Sequence, residues 1–250
     1  MQPFRKGRYC ARIAQSSKDV AAAQALRFRS FRSPDQDMPS GLDSDAFDAI
    51  CQHVLVEEVA SGSLVCCFRM LPLEDGADIG RSYSAQFYEL SALSGFRGAM
   101  VEMGRFCIHP DWRDPDILRL AWGAMTRYVD AAGVKMLFGC SSFRGVEAEA
   151  YLDTFAMLRA RHLAPKRWLP RVKAPCIFPF ARGLSRHKPD AGRAMLSMPP
   201  LLRTYLMMGG WVSDHAVVDH DLGTLHVFTG LEIGAIPPAR ARLLRLVAGE

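Results

Sequence analysis

Glu102 and Arg105 stand three residues apart in the apolar stretch 99–113, AMVEMGRFCIHPDWR, which breaks at His109-Pro110. An acid and a base inside an apolar run are costly to bury unless they pair or bind something. A buried carboxylate can take a proton from an attacking amine, and a guanidinium can grip a carboxylate with a two-pronged fork. The same two charges can equally form a structural ion pair, and the residues alone leave both uses open. On a regular strand, residues three apart point to opposite faces, so Glu102 and Arg105 converge only where the strand is irregular. Gly104, between them, is where a bulge is expected. His109 is a second candidate base, although His-Pro at a strand end is more commonly a structural break. His215, His220 and His226 are irregularly spaced and do not read as a zinc site, so no metal is expected.

These side chains need a strand with neighbours to hold them. Residues 8–14 alternate enough for a first strand, and Ser16, Ser17 and Asp19 supply the cap and first-turn acid of a helix reaching Phe31. On that helix Arg27 and Phe31, four apart, share a face. Residues 32–52 form a long irregular stretch holding Asp35, Asp37, Asp43, Asp45 and Asp48, opposite in charge to the helix before it. Residues 53–60 and 63–71 read as a hairpin around Ser61-Gly62, with Arg69 near its end. Residues 84–93 read as a short helix before the central strand. Beyond it, Asp114-Pro115-Asp116 caps a helix over 116–132 that Gly133 ends. A strand at 134–142 and a helix at 146–161 follow. The order βα, ββ, α, β, α, β, α predicts an α/β fold with a mixed sheet flanked by helices.

After Leu163, prolines 165, 170, 175 and 179 interrupt basic and aromatic residues, and 184–190 reads as a flexible link. A main domain over 1–183 is therefore expected, with a C-terminal extension, 184–250, containing a helix at 200–208 and two strands around Asp221-Leu222-Gly223. That extension is too short and too apolar to stand alone, and it is expected to pack on the main sheet.

With 250 residues, 49% of them hydrophobic, the chain can bury a sizeable core. No apolar run approaches the roughly 18 residues of a membrane span, and the basic N-terminus lacks a following apolar segment, so no secretory signal is expected. Seven cysteines, odd in number and without C-x-x-C spacing, read as reduced thiols of a cytoplasmic protein. The net charge of +5 is unevenly spread. Nine Lys or Arg and no acid lie between Arg159 and Lys188, and eight lie in residues 1–32 against Asp19 alone. Such blocks suit an acidic partner: nucleic acid, an anionic membrane surface or an acidic carrier protein.

At the central strand the residues resemble the GNAT-like acyltransferases. Within them they resemble the branch that takes fatty acyl groups from acyl carrier protein, namely the acyl-homoserine-lactone (autoinducer) synthases and the ornithine Nα-acyltransferases. The stretch GRFCIHPDWRDPDILRLAWGAM is similar to that superfamily's fourth strand and following helix. Glu102, Arg105 and Phe106 match an autoinducer-synthase Glu-x-x-Arg-Phe signature, joined by Arg27, Phe31, Asp45, Asp48 and Arg69. The resemblance, covering about residues 9–180, implies a GNAT-like fold and an N-acyltransferase without metal or redox cofactor.

Two departures refine it. Where acetyl-CoA-dependent members carry a Gly-rich pyrophosphate cradle, residues 113–117 here read RDPDI, whose acids and proline are hostile to pyrophosphate. The tail after Pro199 resembles the extension of ornithine Nα-acyltransferases. Together these imply transfer of a 3-hydroxyacyl group from acyl carrier protein to ornithine, giving lyso-ornithine lipid. Glu102 is then the proton acceptor, Gly104 marks a backbone N–H free for the thioester oxygen, and Arg105 and Arg69 bind the substrate carboxylate or hold the acidic loop closed. Asp45 and Asp48 pair with those arginines or with the ornithine side chain, and Arg27, Phe31 and Phe106 complete the substrate site. The carrier is expected on Arg159, Arg161, Lys166, Arg167, Arg171 and Lys173, with no nucleic acid as partner. Peripheral contact with the inner membrane face is also expected. Acyl-homoserine-lactone synthesis, N-acylation of another amino acid and a non-catalytic carrier- or lipid-binding module are the competing readings.

Overall fold

Ser16 and Asp19 start the first long helix as their types predict: the Ser16 hydroxyl accepts from the Asp19 N–H in the computed structural model, which describes residues 2–32 and 41–249. In chain order, strands β1 (Phe4–Lys6) and β2 (Tyr9–Ile13) precede helix α1 (Ser17–Phe31). A 3₁₀ turn (Ala46–Ala49) leads to β3 (Gln52–Glu58) and β4 (Leu64–Leu73), then β5 (Tyr88–Glu89) and the central β6 (Met100–Ile108). Helix α2 (Pro115–Ala132), β7 (Met136–Arg144) and α3 (Leu152–Arg161) follow, then β8 (Arg171–Val172), β9 (Ile177–Phe178) and α4 (Phe180–Gly183). The C-terminal part holds α5 (Ala191–Ser197), α6 (Pro200–Met207), β10 (Trp211–Val212), β11 (Ala216–Asp219), β12 (Thr224–Glu232) and α7 (Pro238–Ala248). Asp35 and Asp37 of the acidic stretch lie outside the described residues.

The chain divides into two compact units, and the division falls inside β6, after Glu102. The first comprises the described residues of Met1–Pro72, Met103–Val134 and Pro238–Glu250. Its strands run in the order β1-β2-β3-β4-β6, with β1 to β4 paired antiparallel and a bulge between Val56 and Glu57. Ala23 and Leu26 of α1 pack with Leu55, Cys67 and Cys107, one cluster joining the helix to three strands. Helix α2 begins on the cap expected for it: Asp114 accepts from the Asp116 N–H, and Gly133 ends the helix at φ 61. It buries Ile117, Leu120, Ala121, Trp122, Met125 and Val129 on one face. At Gly123 a Cβ would come within 2.9 Å of the Phe4 ring, so glycine there permits close approach of β1 to α2.

The second unit comprises Leu73–Glu102 and Lys135–Pro237. Here Met100–Glu102 of β6 run parallel to Met136–Phe138 of β7, while β7-β12-β11-β9 pair antiparallel, which makes the sheet mixed as expected. Phe143, Phe155, Phe180, Leu202, Leu225 and Val227 form its main apolar cluster. Residues 184–250 contribute strands to this unit and α7 to the first.

Four local expectations need revision. Residues 4–6 add a short hairpin strand before 9–13, turned at Gly7 (φ 57). Residues 84–93 are not a helix but two 3₁₀ turns flanking β5, because Tyr88 and Glu89 pair instead with β8. The expected helix at 146–161 starts as a 3₁₀ turn, Ala148–Tyr151, before α3. Helices α4, α5 and α7 and the short strands β8, β9 and β10 have no counterpart among the expected elements. Among the described residues no helix is long and apolar enough to cross a membrane, no cluster of three or more His, Cys, Asp or Glu suits a metal, and all seven cysteines are free.

Within the second unit, Tyr88 donates to the His226 carbonyl at 2.8 Å and lies 3.1 Å from His226 Nδ1. Burial, with nearby His215, pushes the His226 imidazole down to about 4, against a smaller opposing pull from Asp219. A folded value below the unfolded one near 6.5 means that the unfolded chain binds the extra proton, so stability falls as the pH drops through this window. The midpoint of thermal unfolding should therefore fall between pH 6.5 and 4. His226→Phe should flatten that dependence, as scanning calorimetry across the range will read.

Candidate active site

Three arginines and three aspartates meet in the first unit, drawn from elements far apart in sequence. Arg27 of α1 donates to both Asp48 oxygens at 2.8 Å and to the Asp43 carbonyl, and its Nε makes an ion-pair contact with Asp43 at 3.1 Å. Arg69, in the middle of β4, forks onto Asp45 at 2.6 and 2.7 Å and reaches Asp48 at 3.0 Å. Arg105 of β6 donates to Asp43 at 3.0 Å and Asp45 at 3.2 Å. Gln24 and His53 add contacts to Asp48, the first to its carboxylate at 2.9 Å, the second to its carbonyl at 3.0 Å. Asp45 also caps the 3₁₀ turn, accepting from the Phe47 N–H.

Arg27 is 1% exposed and Arg69 3%, so these charges are removed from water and the cluster must balance them internally. Burial raises the Asp48 carboxyl, but hydrogen bonds from Arg27 and Gln24 and the charges of Arg27 and Arg69 outweigh it and hold it below its usual range. Asp45 is likewise lowered, burial being outweighed by Arg69 and Arg105. Arg69 is raised: burial opposes its charge, and Asp45 more than compensates. Arg69 and Arg105 both reach Asp45, and Arg69 also reaches Asp48, so these expected residues meet in one cluster. Asp43 was missing from the expected site residues; its place in a Pro- and Gly-bearing acidic stretch gave no signal separating it from its neighbours.

A backbone irregularity lies at Arg105, next to Gly104 where a bulge is expected. Arg105 has φ 52 and is the one non-glycine residue with positive φ among those described. Left-handed backbone costs a branched-out side chain about 1–2 kcal/mol, and the contacts of the Arg105 guanidinium with Asp43 and Asp45 hold it there. Gly104 keeps an ordinary φ, and a Cβ on it would meet Arg69 at no closer than 3.8 Å. Next along the strand Phe106 stacks on Phe68 with centroids 5.5 Å apart. Phe31 packs against the cluster of Leu26, Cys67 and Cys107.

Glu102 belongs to the second unit and is 4% exposed. Its carboxylate accepts from the backbone N–H groups of Tyr83 and Ser84, both at 2.7 Å, and from the Ser84 hydroxyl at 2.6 Å. An ionised carboxylate only accepts, and three donors aimed at it are the surroundings that form needs. The two amides open the 3₁₀ turn Ser84–Gln86, where N–H groups have no partner within the turn, so Glu102 caps it from a distant strand. Ser84 was not foreseen as a functional residue; its position at the head of an expected helix was the available cue. Tyr205 of α6 is buried, and burial, then the charge of Glu102, push its phenol up.

The remaining expected residues sit elsewhere. His109 Nε2 lies 3.1 Å from Arg29 in the first unit, and burial followed by the Arg29 charge pushes its imidazole down. In the second unit Arg161, Lys166, Arg167, Arg171 and Lys173 are exposed, while Arg159 is half-buried and donates to the Ala181 carbonyl. Arg167 contacts Glu232, and Lys173 donates to the Ala85 carbonyl.

The acetyltransferase (GNAT) domain family matches residues 26–123. The solved structure of FeeM, an N-acyl amino acid synthase from uncultured soil microbes, superposes with a TM-score of 0.51 at 10% identity, covering 92% of this chain and 94% of that one, and so shares its fold. An L-ornithine N(alpha)-acyltransferase of Rhodobacter capsulatus is 30% identical over 239 residues, 91% of each chain. This chain belongs to the L-ornithine N(alpha)-acyltransferase family. A member of that family from Rhizobium meliloti is 31% identical over 241 residues, 90% of this chain and 80% of the relative. The family likeness extends well beyond the acetyltransferase match, through the C-terminal extension whose sequence first suggested it.

The arginine–aspartate cluster ties α1 to the loop and two strands, so truncating it tests its share of stability. Arg27→Met removes the most buried of the cations that Asp43 and Asp48 share and should lower stability by about 3–5 kcal/mol, read as a fall in the urea midpoint at unchanged slope. Because Asp45 and Asp48 are depressed, the cluster's contribution is complete above the unfolded carboxyl value near 3.9 and is lost as the pH falls below it. The Arg27→Met penalty should shrink in that acidic range.

Proposed function

We propose that this protein transfers a 3-hydroxy fatty acyl group from acyl carrier protein to the α-amino group of L-ornithine, giving lyso-ornithine lipid. The observation that carries this reading is the likeness of nine-tenths of the chain to relatives bearing that acceptor in their name. In the reaction the amine nitrogen bonds to the thioester carbonyl carbon, the carbon–sulfur bond breaks, and the carrier's thiol leaves. The α-ammonium must first lose a proton, and Glu102, buried near the start of β6, accepts it directly or through water. Attack is direct, without an acyl-enzyme intermediate.

Carrier protein rather than coenzyme A is favoured as donor by the start of α2. The Asp114 carboxylate takes the Asp116 N–H at 2.9 Å, and Pro115 has no N–H to give, so negative charge already occupies the place where a pyrophosphate would need donors. The exposed cations Arg161, Lys166, Arg167, Arg171 and Lys173 suit an acidic carrier, with Arg159 behind them. The basic and aromatic segment 166–180 suits peripheral contact with an anionic membrane that receives the lipidic product.

Incubation with 3-hydroxyacyl carrier protein and, separately, ornithine, glycine, glutamine, lysine or S-adenosylmethionine, with products read by mass spectrometry, tests the reading. Acyl-ornithine should dominate. A lactone from S-adenosylmethionine would instead make the chain an autoinducer synthase, and silence with every acceptor would favour a binding module. Glu102→Gln should lower kcat by about 10²- to 10⁴-fold.

A further inference from the structure

We propose that Ser84 is a positioning residue for Glu102, a hydroxyl that donates to the carboxylate while it is ionised and turns to accept from it once it has taken a proton. The inference rests on the reading of Glu102 as the proton acceptor and adds a residue to it.

The donor directions follow from the atoms present. Ser84 Oγ lies 2.6 Å from Glu102 Oε1 and 3.4 Å from Cys140 Sγ. An ionised carboxylate has no hydrogen to give, so the Ser84 hydrogen points to Glu102 and the Cys140 thiol donates to Ser84 Oγ. The chain then reads Cys140 S–H to Ser84 O–H to Glu102. The backbone amides of Tyr83 and Ser84 also donate to the carboxylate, but an amide can only donate. They hold the carboxylate in place and favour its charged form, and they gain nothing when it becomes a neutral acid. Ser84 has both a donor and lone pairs. When Glu102 takes a proton on Oε1, that proton points to Ser84 Oγ, and the Ser84 hydrogen turns to the Cys140 sulfur. No proton leaves the chain; each stays on its own oxygen or sulfur, and only the directions reverse. The partner therefore stays bonded in both charge states.

The surroundings suit a reversible pair. Ser84 is fully buried, so no bulk water competes for its hydroxyl. Glu102 is opposite Phe138 in the pairing of β6 with β7, and Cys140 lies two residues further along β7, so sheet register fixes the sulfur relative to the carboxylate. The titratable groups facing the pair are Cys140 on β7, Tyr205 on α6 and, beyond Cys140, Tyr88 on β5. Burial pushes both phenols up, so they stay neutral over the working pH range.

The test is a pH–rate profile of the whole chain with 3-hydroxyacyl carrier protein and ornithine, for wild type, Ser84→Ala, Ser84→Thr and Glu102→Gln, with folding followed by circular dichroism. Ser84→Ala removes one donor to the charged carboxylate. It should lower kcat up to about a hundredfold with little change in the KM for ornithine, and should move the acidic limb of kcat/KM up by about one pH unit. Ser84→Thr, which keeps the hydroxyl, should return the limb toward wild type. Should Ser84→Ala not fold, Ser84→Cys, whose thiol donates and accepts more weakly, should give the same shift at smaller size. An unmoved acidic limb in the folded variant, with Glu102→Gln inactive, overturns the role of Ser84. Full activity in Glu102→Gln overturns the reading of the base itself, whatever Ser84→Ala does.

Discussion

Arg27 at 1% exposure is the constraint around which the first unit is built. A guanidinium out of water demands carboxylates, and no acid on α1 near it supplies them, so the chain between α1 and β3 must return over the helix with Asp43 and Asp48. The return also brings Asp45 to Arg69 and Arg105, tying the loop to two strands at once. Six side chains from a helix, a loop and two strands thus share one charge balance. A hydrophobic substitute of equal volume would fill the space at lower desolvation cost, but it would not specify which loop residues come back to which strand.

Electrostatic balance also accounts for the unusual backbone of Arg105. A left-handed residue in mid-strand is unfavourable for an arginine, and here the side chain's ion pairs hold the backbone in that state. Gly104 is the residue on which local preference alone would place such a conformation. It is not the residue that carries it, because glycine has no side chain for the aspartates to hold.

Much of the scaffold was legible because the signals were local. Ser16 and Asp19 start α1, Asp114 and Gly133 bound α2, and the β-branched runs of β3 and β4 pair as their pattern requires. The paired roles of Arg27, Arg69, Asp45 and Asp48 were visible as residue types of opposite charge, but their partners were not, since the contacts join residues 21 to 60 positions apart. The turn at 84–86 was misread for a related reason. Its helix-like composition is overridden by a carboxylate eighteen residues downstream and by pairing of Tyr88 with Val172. Helix α7, rich in alanine and arginine, packs against α2, a contact distant in sequence.

Main-chain amides are among the donors on Glu102, and this divides the neighbourhood into positions read by chemistry and positions read by shape. Any residue with an N–H can stand at 83 and still serve the carboxylate, so the side chain there is free to drift toward other tasks, such as the contact of the Tyr83 ring with Phe87. Proline alone is barred by the lost donor. A comparison of amino acids at this position across relatives would therefore register variability, and would overlook a residue whose backbone touches the proposed base.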